Sequence, residues 1–285
     1  MSLLETAALG ALAGLTIFVG LPLGRITTLS PRARVGLAMF SVGILTFILV
    51  DVLGHALSIV EGPVERLHDG NGSLGHAVWL VLMLGAGFVA GSAGLAMIER
   101  RMRPSGPKGP PIAGGATAVV ANQADALAGE ADAARTRALH TCLAIAGAIG
   151  LHNFAEGLAI GVSARAGAIS LATVLIIGFA LHNATEGFGI VGPLGGVQPS
   201  WKWLGLVGLV AGGPTFFGAL VGYHVTSQAL ELAFYALAGG AILYVVGEIW
   251  HAMRRFGHRE LGLYLLAIGF LAGLVTDLVV VYGGG

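Results

Sequence analysis

Long apolar stretches separated by short polar breaks run along the whole chain. A helix needs about 20 mostly apolar residues to cross the hydrocarbon core of a bilayer, and the sequence contains eight such stretches. The breaks between them are rich in proline, glycine and charge, as at Ser30, Pro31 and Arg32. The pattern predicts an all-α integral membrane protein with eight transmembrane helices, near residues 3–24, 35–60, 75–98, 138–163, 167–192, 203–224, 229–252 and 261–282.

Composition agrees with this interpretation. Hydrophobic residues make up 55% of the chain and charged residues 11%, whereas a soluble domain carries about 25% charged residues. The 47 glycines suit membrane helices because they let backbones approach closely. The formal net charge is zero, so the chain lacks the surplus of Lys and Arg that binds phosphates, and no nucleic-acid partner is expected.

The positive charges indicate how the helices are oriented. Cytoplasmic loops of membrane proteins carry an excess of Lys and Arg. If the N-terminus lies outside, thirteen of the 15 Lys and Arg residues fall in inner loops, and only Arg66 and Arg165 fall outside. We therefore expect both termini outside the cytosol and an even number of spans. The first span lacks the basic start of a signal peptide, so we expect a retained helix.

One connection, at about 99–136, is much longer than the others and falls in the cytoplasm on this orientation. Its first part, 104–115, is rich in proline and glycine and is expected to be irregular. The second part, 116–134, is rich in alanine, and composition leaves open whether it forms a marginal helix or no fixed structure. We expect one transmembrane domain over residues 1–285.

Two polar clusters lie deep inside the fourth and fifth predicted spans. Ionisable groups are costly in hydrocarbon, so each one is a functional candidate. At 1.5 Å per residue both clusters lie roughly 21–23 Å along their helices, and antiparallel neighbours bring them to similar depth. The clusters read His152-Asn153-x-x-Glu156-Gly157 and His182-Asn183-x-x-Glu186-Gly187.

Helical spacing predicts a metal site from these clusters. Positions i, i+3 and i+4 are neighbours on a helix, so Glu156 lies beside both His152 and Asn153, and the second cluster repeats this arrangement. We expect one pocket of two histidines and two glutamates, and an adjacent pocket of two asparagines and the same carboxylates, which would bridge two ions. Imidazole with carboxylate suits zinc and other first-row divalent ions, whereas asparagine oxygens are weaker, harder ligands. The alternative is that the histidines and glutamates only pair with each other.

Other ionisable residues in the spans extend this prediction. Glu248, in the seventh span, is a candidate third carboxylate, because three negative charges balance two divalent cations better than two do. Asp51 and His55 form an i, i+4 pair in the second span. We expect Asp51, His55 and His251 to line a transport pathway. For Asp277, in the eighth span, a hydrogen bond between helices is an equal alternative to a place on that pathway.

On these residues the chain resembles the ZIP (Zrt/Irt-like) family of divalent metal transporters, prokaryotic type. The resemblance rests on the eight spans, the long loop after the third span, the paired motif, and the stretch 239–248 in the seventh span. It implies a 3+2+3 arrangement with inverted repeats, a homodimer, and movement of metal into the cytosol. It also assigns the ligands of a binuclear site to His152, Asn153, Glu156, His182, Asn183, Glu186 and Glu248.

The chain departs from the family pattern in three places. Ala155 and Thr185 stand where the family usually has proline before the motif glutamate, so straighter helices are expected. We expect the Thr185 hydroxyl to bond to the carbonyl of Leu181. His251 and Ala252 replace a Pro-Glu pair, and the long loop lacks a histidine-rich tract.

The resulting hypothesis is alternating-access transport of a divalent cation into the cytosol, with zinc as the first candidate and iron, manganese and cadmium as others. We expect no enzyme activity and no prosthetic group. We also expect the protein to lie in the cell membrane, which in a bacterium would be the inner membrane. Two alternatives stay open: an intramembrane metallohydrolase in which the same ligands activate water, and a metal sensor on the same fold that does not transport. The sequence has no HExxH motif, and the doubled cluster favours an ion pathway.

Overall fold

The structure, a computed structural model, describes residues 1–26, 28–102, 116–166, 169–224 and 227–282. Over these residues it consists of helices and their connections and contains no β-strand. The helices are α1 (Leu3–Leu15), α2 (Pro31–His68), α3 (Leu74–Val89, continued through a π-helical turn at Ala90–Gly94 by Leu95–Met102), α4 (Ala116–Arg165), α5 (Ile169–Val191), α6 (Trp201–Gly222), α7 (Gln228–Arg254) and α8 (Arg259–Tyr282). Short 3-10 turns at Thr16–Val19 and Leu21–Arg25 extend α1, and another at Gly192–Leu194 follows α5.

Within the described residues, seven segments are long and apolar enough to cross a membrane. They are Leu3–Arg25, Pro31–His68, Leu74–Arg101, Ala128–Arg165, Trp201–Gly222, Gln228–Arg254 and Arg259–Val279. Helix α5 has 23 residues and packs against α1, α2 and α4 in the same bundle. The all-helical class expected from the sequence is confirmed, and the apolar helices indicate a multi-pass membrane protein.

The helices extend beyond the predicted apolar spans at their polar ends. Helix α2 has 38 residues, and the Ser30 hydroxyl caps its start by accepting a hydrogen bond from the Ala33 amide. Helix α4 has 50 residues, since the alanine-rich part of the long connection is helical from Ala116 onward and continues into the fourth span. The part predicted to be irregular, 104–115, lies outside the described residues.

The helices differ in how much of their surface other helices cover. In the most apolar window of α4, 67% of the residues are buried, against 17% in α8 and 6% in α3. Helix α4 packs against α5, α6 and α7, whereas the main neighbour of α3 is α7 and that of α8 is α2. The polar cluster of α4 therefore lies inside the bundle, and α3 and α8 form its edge.

Glycines bring several helix pairs into backbone contact. A methyl group added to Gly14 on α1 would lie 2.1 Å from the carbonyl oxygen of Gly212 on α6, and one added to Gly212 would lie 2.1 Å from that of Gly14. Both positions therefore need glycine, which permits this close approach. Similar contacts join α6 to α4 through Gly218 and Gly157, and α1 to α5 through Gly20 and Gly187.

The same kind of contact recurs in the two outer thirds of the chain with a fixed register. Gly43 on α2 faces the Leu266 carbonyl of α8, and Gly240 on α7 faces the Phe88 carbonyl of α3. The two glycines are 197 positions apart, and the two carbonyls are 178 positions apart. The reverse contacts keep both offsets and run from Gly269 to the Phe40 carbonyl and from Gly91 to the Leu237 carbonyl. Helices α2 and α3 thus correspond to α7 and α8.

Candidate metal centre

The histidine and glutamate side chains of α4 and α5 meet inside the bundle. His152, Glu156 and His182 each place one ligand atom within 4.8 Å of the other two. The Nε2 atom of His152 lies 3.0 Å from Oε1 of Glu156, and Nε2 of His182 contacts the same oxygen. The centroids of the two imidazole rings are 6.2 Å apart. Two imidazoles and a carboxylate thus converge on one point, as they do around a divalent cation.

Glu186 also lies close to His152, with its Oε1 3.8 Å from Nε2 of that histidine. Its side chain is completely buried, and Glu156 is nearly so. Neither carboxylate oxygen of Glu186, nor Oε2 of Glu156, has a hydrogen-bond partner in the part of the chain that the structure describes. A buried carboxylate without compensation is costly, so these oxygens are suited to face a cation.

The two motif asparagines are fixed through their amide nitrogens. Asn153 donates a hydrogen bond of 3.0 Å to the carbonyl of Ala211 on α6, and Asn183 donates one of 3.1 Å to that of Ala13 on α1. Ala13 and Ala211 occupy equivalent positions, each immediately before the contacting Gly14 or Gly212. Both side chains are completely buried, and neither Oδ1 has a partner among the described residues. Each amide therefore leaves its oxygen as a buried acceptor.

The residues before the two motif glutamates are held differently. Thr185 donates its hydroxyl to the carbonyl of His182 at 2.7 Å. The expected acceptor, the Leu181 carbonyl, was wrong, because a helical threonine can bond either three or four residues back, depending on its rotamer. Ser41 of α2 then donates to the Thr185 carbonyl at 2.8 Å. On α4 the corresponding residue is Ala155, which is buried and has no hydroxyl.

A cavity of about 500 Å³ reaches the cluster from one end of the bundle. His152, Glu156 and His182 are among its lining residues, and Glu186 is not. We call this cavity the carboxylate vestibule, because its wall carries three carboxylates and, among the described residues, no Lys or Arg. Apart from the cluster itself, its ionisable wall residues are Asp51, His55, Glu231, Tyr235 and Asp277, and Ser163 and Thr276 also line it.

Two of the residues predicted for a pathway, Asp51 and His55, lie in the carboxylate vestibule. The Nδ1 atom of His55 is 3.6 Å from a carboxylate oxygen of Asp51 and 3.0 Å from its backbone carbonyl oxygen. The pair therefore adopts the i, i+4 geometry expected on one helix face. Asp277, which had two equal interpretations, also lines this cavity.

Glu248 and His251 lie in a different cavity, of about 390 Å³. We call it the arginine vestibule, because Arg137 and Arg255 line it together with Glu99, His140, Glu248 and His251. Along α7, Glu248 is about 25 Å from Glu231 of the carboxylate vestibule, so the two cavities enter from opposite ends. The structure thus brings His152, Glu156, His182 and Glu186 together and places Glu248 apart from them.

The two cavities carry carboxylates at corresponding positions. Asp51 and Glu248 are 197 positions apart, and Glu99 and Asp277 are 178 apart, which are the offsets of the repeated glycine contacts. Sequence reasoning did not single out Glu99, Glu231 or the arginines, because residues near helix ends resemble loop residues. The offset of 178 positions between the two outer thirds of the chain relates Asp277 to Glu99, so this repeat is the signal that would have identified Glu99.

Comparison with known families agrees with this geometry. Residues 115–247 match the protein-family model described as ZIP zinc transporter. The matched stretch contains both motifs and most of α7, and it ends one residue before Glu248. A search of curated proteins found no match to the chain.

Proposed function

Through residues 115–247 the chain belongs to the ZIP zinc transporter family, and we propose that it carries divalent metal ions across the membrane through the His152–Glu156–His182 site. One observation carries the proposal: three buried metal-binding groups converge within 4.8 Å at the floor of a cavity walled by carboxylates. A buried site with an approach from one end of a helical bundle suits an ion pathway.

Zinc is our first candidate for the cargo, followed by iron, manganese and cadmium. Two imidazoles with carboxylate oxygens from Glu156 and Glu186 offer four ligands, the number that zinc prefers. Two carboxylates also neutralise one divalent cation, which lowers the cost of holding it among apolar helices. The donor set therefore favours a borderline-soft divalent ion over magnesium or calcium, which take oxygen ligands.

A second ion position beside the first is part of the proposal. The buried Oδ1 atoms of Asn153 and Asn183 supply two neutral oxygens there, and Glu156 and Glu186 bridge the two ions. Glu248, in the arginine vestibule, is proposed as the third carboxylate that receives the ion when the opposite end opens. The separation of Glu248 from the cluster supports a role in a second conformation rather than in this one.

We propose alternating access with import into the cytosol. The excess of Lys and Arg in alternate loops supports an orientation with the carboxylate vestibule outside and the arginine vestibule in the cytoplasm. The repeated contacts of α2 with α8 and of α7 with α3 support a 3+2+3 arrangement of eight spans with inverted repeats, in which sites lie between the repeats. We also propose that both termini lie outside the cytosol, that the protein forms a homodimer, and that it lies in the bacterial inner membrane.

Reconstitution into liposomes that enclose a metal-sensitive dye tests this function. We expect influx of zinc, and of some of iron, manganese and cadmium, that disappears in Glu156→Ala. Glu61→Ala is the matched control, because Glu61 is an exposed carboxylate near the end of α2 and does not line the carboxylate vestibule. Tight binding with no flux of any ion would contradict transport and indicate a sensor, and cleavage of a lipid or peptide would indicate a hydrolase.

A further inference from the structure

A third cavity lies at the end of the bundle where α2 and α8 begin and α7 ends. Its volume is about 410 Å³, and it does not share lining residues with either vestibule among the described residues. Arg254 is the last residue of α7 and Arg259 the first of α8, so the pocket is at the level where these apolar helices leave the membrane. We call it the α2–α7–α8 pocket.

One side of this pocket is cationic. Arg254, His258 and Arg259 line it, and no described carboxylate does. The neighbouring Glu260 is exposed and is not one of the lining residues. Arg254 and Arg259 form no salt bridge with the part of the chain described. Two guanidinium groups beside one cavity, with no counter-ion among the described residues, are suited to an anion with several oxygens.

The other side of the pocket is apolar. Val35 and Met39 of α2 and Met253 of α7 are buried, and Trp250 is half-buried. Tryptophan is enriched where membrane helices meet the headgroup region. A cavity with a cationic rim and an apolar wall matches a molecule with an anionic head and a hydrocarbon chain, and a small soluble anion would leave the apolar wall without a partner.

The turn between α7 and α8 contributes to the cationic rim. Gly257 has a φ of 72° and His258 a φ of 58°, so a non-glycine residue occupies the left-handed region at the rim. That conformation costs roughly 1–2 kcal/mol for most residues. Together the two residues reverse the chain within a short turn, and as a result Arg254 and Arg259 border the same cavity.

We propose that the α2–α7–α8 pocket binds an anionic phospholipid of the surrounding leaflet. Its phosphate lies between Arg254 and Arg259, with His258 as a further donor, and one acyl chain follows Val35, Met39 and Trp250. Basic pockets between membrane helices at the cytoplasmic side recognise such headgroups, and the charge pattern of the loops places this pocket on that side.

Lipid binding to the full-length protein tests the proposal. Purified protein is mixed with phosphatidylglycerol or phosphatidylcholine, and bound lipid is counted by native mass spectrometry. We expect preferential binding of phosphatidylglycerol, and a loss of about fivefold in affinity for each arginine removed in Arg254→Gln and Arg259→Gln. The pair Arg100→Gln and Arg101→Gln is the control, because both arginines lie at the same end but not in the pocket.

Further measurements separate this site from general attraction and from misfolding. Arg254→Lys keeps the charge and should retain most of the binding, and the thermal unfolding of every variant is compared in phosphatidylcholine. Equal losses in the Arg100 and Arg101 control would overturn the proposal, as would equal binding of the two lipids. Displacement of the lipid by millimolar inorganic phosphate would also overturn it, because it would indicate a site for a small anion.

Discussion

The two vestibules carry carboxylates at corresponding positions of the chain, but they differ in charge, and only one of them extends to the histidine–glutamate cluster. Asp51 and Asp277 on one side correspond to Glu248 and Glu99 on the other. The carboxylate vestibule adds Glu231 and extends to the His152 and His182 imidazoles. The arginine vestibule adds Arg137 and Arg255 and contains none of the four clustered histidines and glutamates.

This difference shows that a repeated backbone contact does not fix the chemistry at either end. In the carboxylate vestibule, three acidic groups with no Lys or Arg among the described lining residues attract cations toward the buried histidine and glutamate side chains. In the arginine vestibule, two guanidinium groups offset Glu99 and Glu248. The same framework therefore offers a cation an attractive approach on one side and an electrically balanced cavity on the other.

The largest effect is expected from the carboxylate at the floor of the carboxylate vestibule. Glu156→Gln should weaken zinc or cadmium binding by at least about 100-fold, since losing even an outer partner of a metal ligand costs 10–100-fold. Glu248→Gln should weaken binding much less, because Glu248 lies in the other cavity. Isothermal titration of both variants measures the difference. Equal losses would place Glu248 among the ligands of the bound state and remove the distinction between the vestibules.

The wall of the carboxylate vestibule should govern how fast the ion arrives. Asp51→Asn combined with Asp277→Asn should reduce the initial influx rate about tenfold at low ionic strength, because steering by clustered charge raises association by factors of 10 or more. The reduction should shrink as salt is added. Dye-loaded liposomes at two salt concentrations give the comparison, with Glu65→Gln as an exposed control on the same helix. A loss that salt does not change would indicate coordination instead of steering.

A smaller effect, of opposite sign, is expected in the arginine vestibule. Arg137→Gln should raise the apparent affinity for metal presented from that end severalfold, because it removes a cation from the approach. Arg254→Gln is the matched control, since Arg254 lines the α2–α7–α8 pocket instead. Efflux from metal-loaded liposomes gives the KM, with sidedness assigned by impermeant labelling of Lys202→Cys. An unchanged efflux KM would show that the arginines do not influence this approach.

The smallest effect is expected from the hydrogen bond between α2 and α5. Ser41→Ala should lower stability by about 1 kcal/mol, the value of a typical neutral hydrogen bond, because the Thr185 carbonyl loses the hydroxyl that reaches it from α2. Ser58→Ala is the control, as the exposed Ser58 hydroxyl bonds only within its own helix. Thermal unfolding of the two variants is the measurement. Equal midpoints would show that Ser41 does not tie the helices together.

Much of the helical framework could be predicted because apolar length alone identifies a membrane helix. The predicted spans fall within the observed helices, apart from differences of a few residues at their ends. The ends were less predictable, because the start of a helix such as α4, in the alanine-rich connection, depends on helix propensity and tertiary contacts and not on hydrophobic length. The sequence motif also identified His152, Glu156, His182 and Glu186, since positions four apart on one helix are neighbours whatever the fold.

The spacing of residues along one helix could not predict which residues of different helices lie together. Glu248 appeared as one more carboxylate in an apolar span, and nothing in α7 itself says which cavity it faces. The acceptor of Thr185 depended on a rotamer that spacing does not determine. The role of Ser41 was not visible either, because its acceptor lies 144 positions away in the sequence.

The sequence by itself predicted the all-helical membrane class, the buried histidine and glutamate clusters and the resemblance to a transporter family, because a charged group is costly in hydrocarbon and therefore stands out in an apolar helix. The tertiary structure decided which groups share a cavity. That depends on how each helix is rotated and which helix it contacts. Glycines such as Gly14 and Gly212 allow two helices to pack with their backbones in contact. The separation of Glu156 from Glu248, and of one vestibule from the other, follows from that packing.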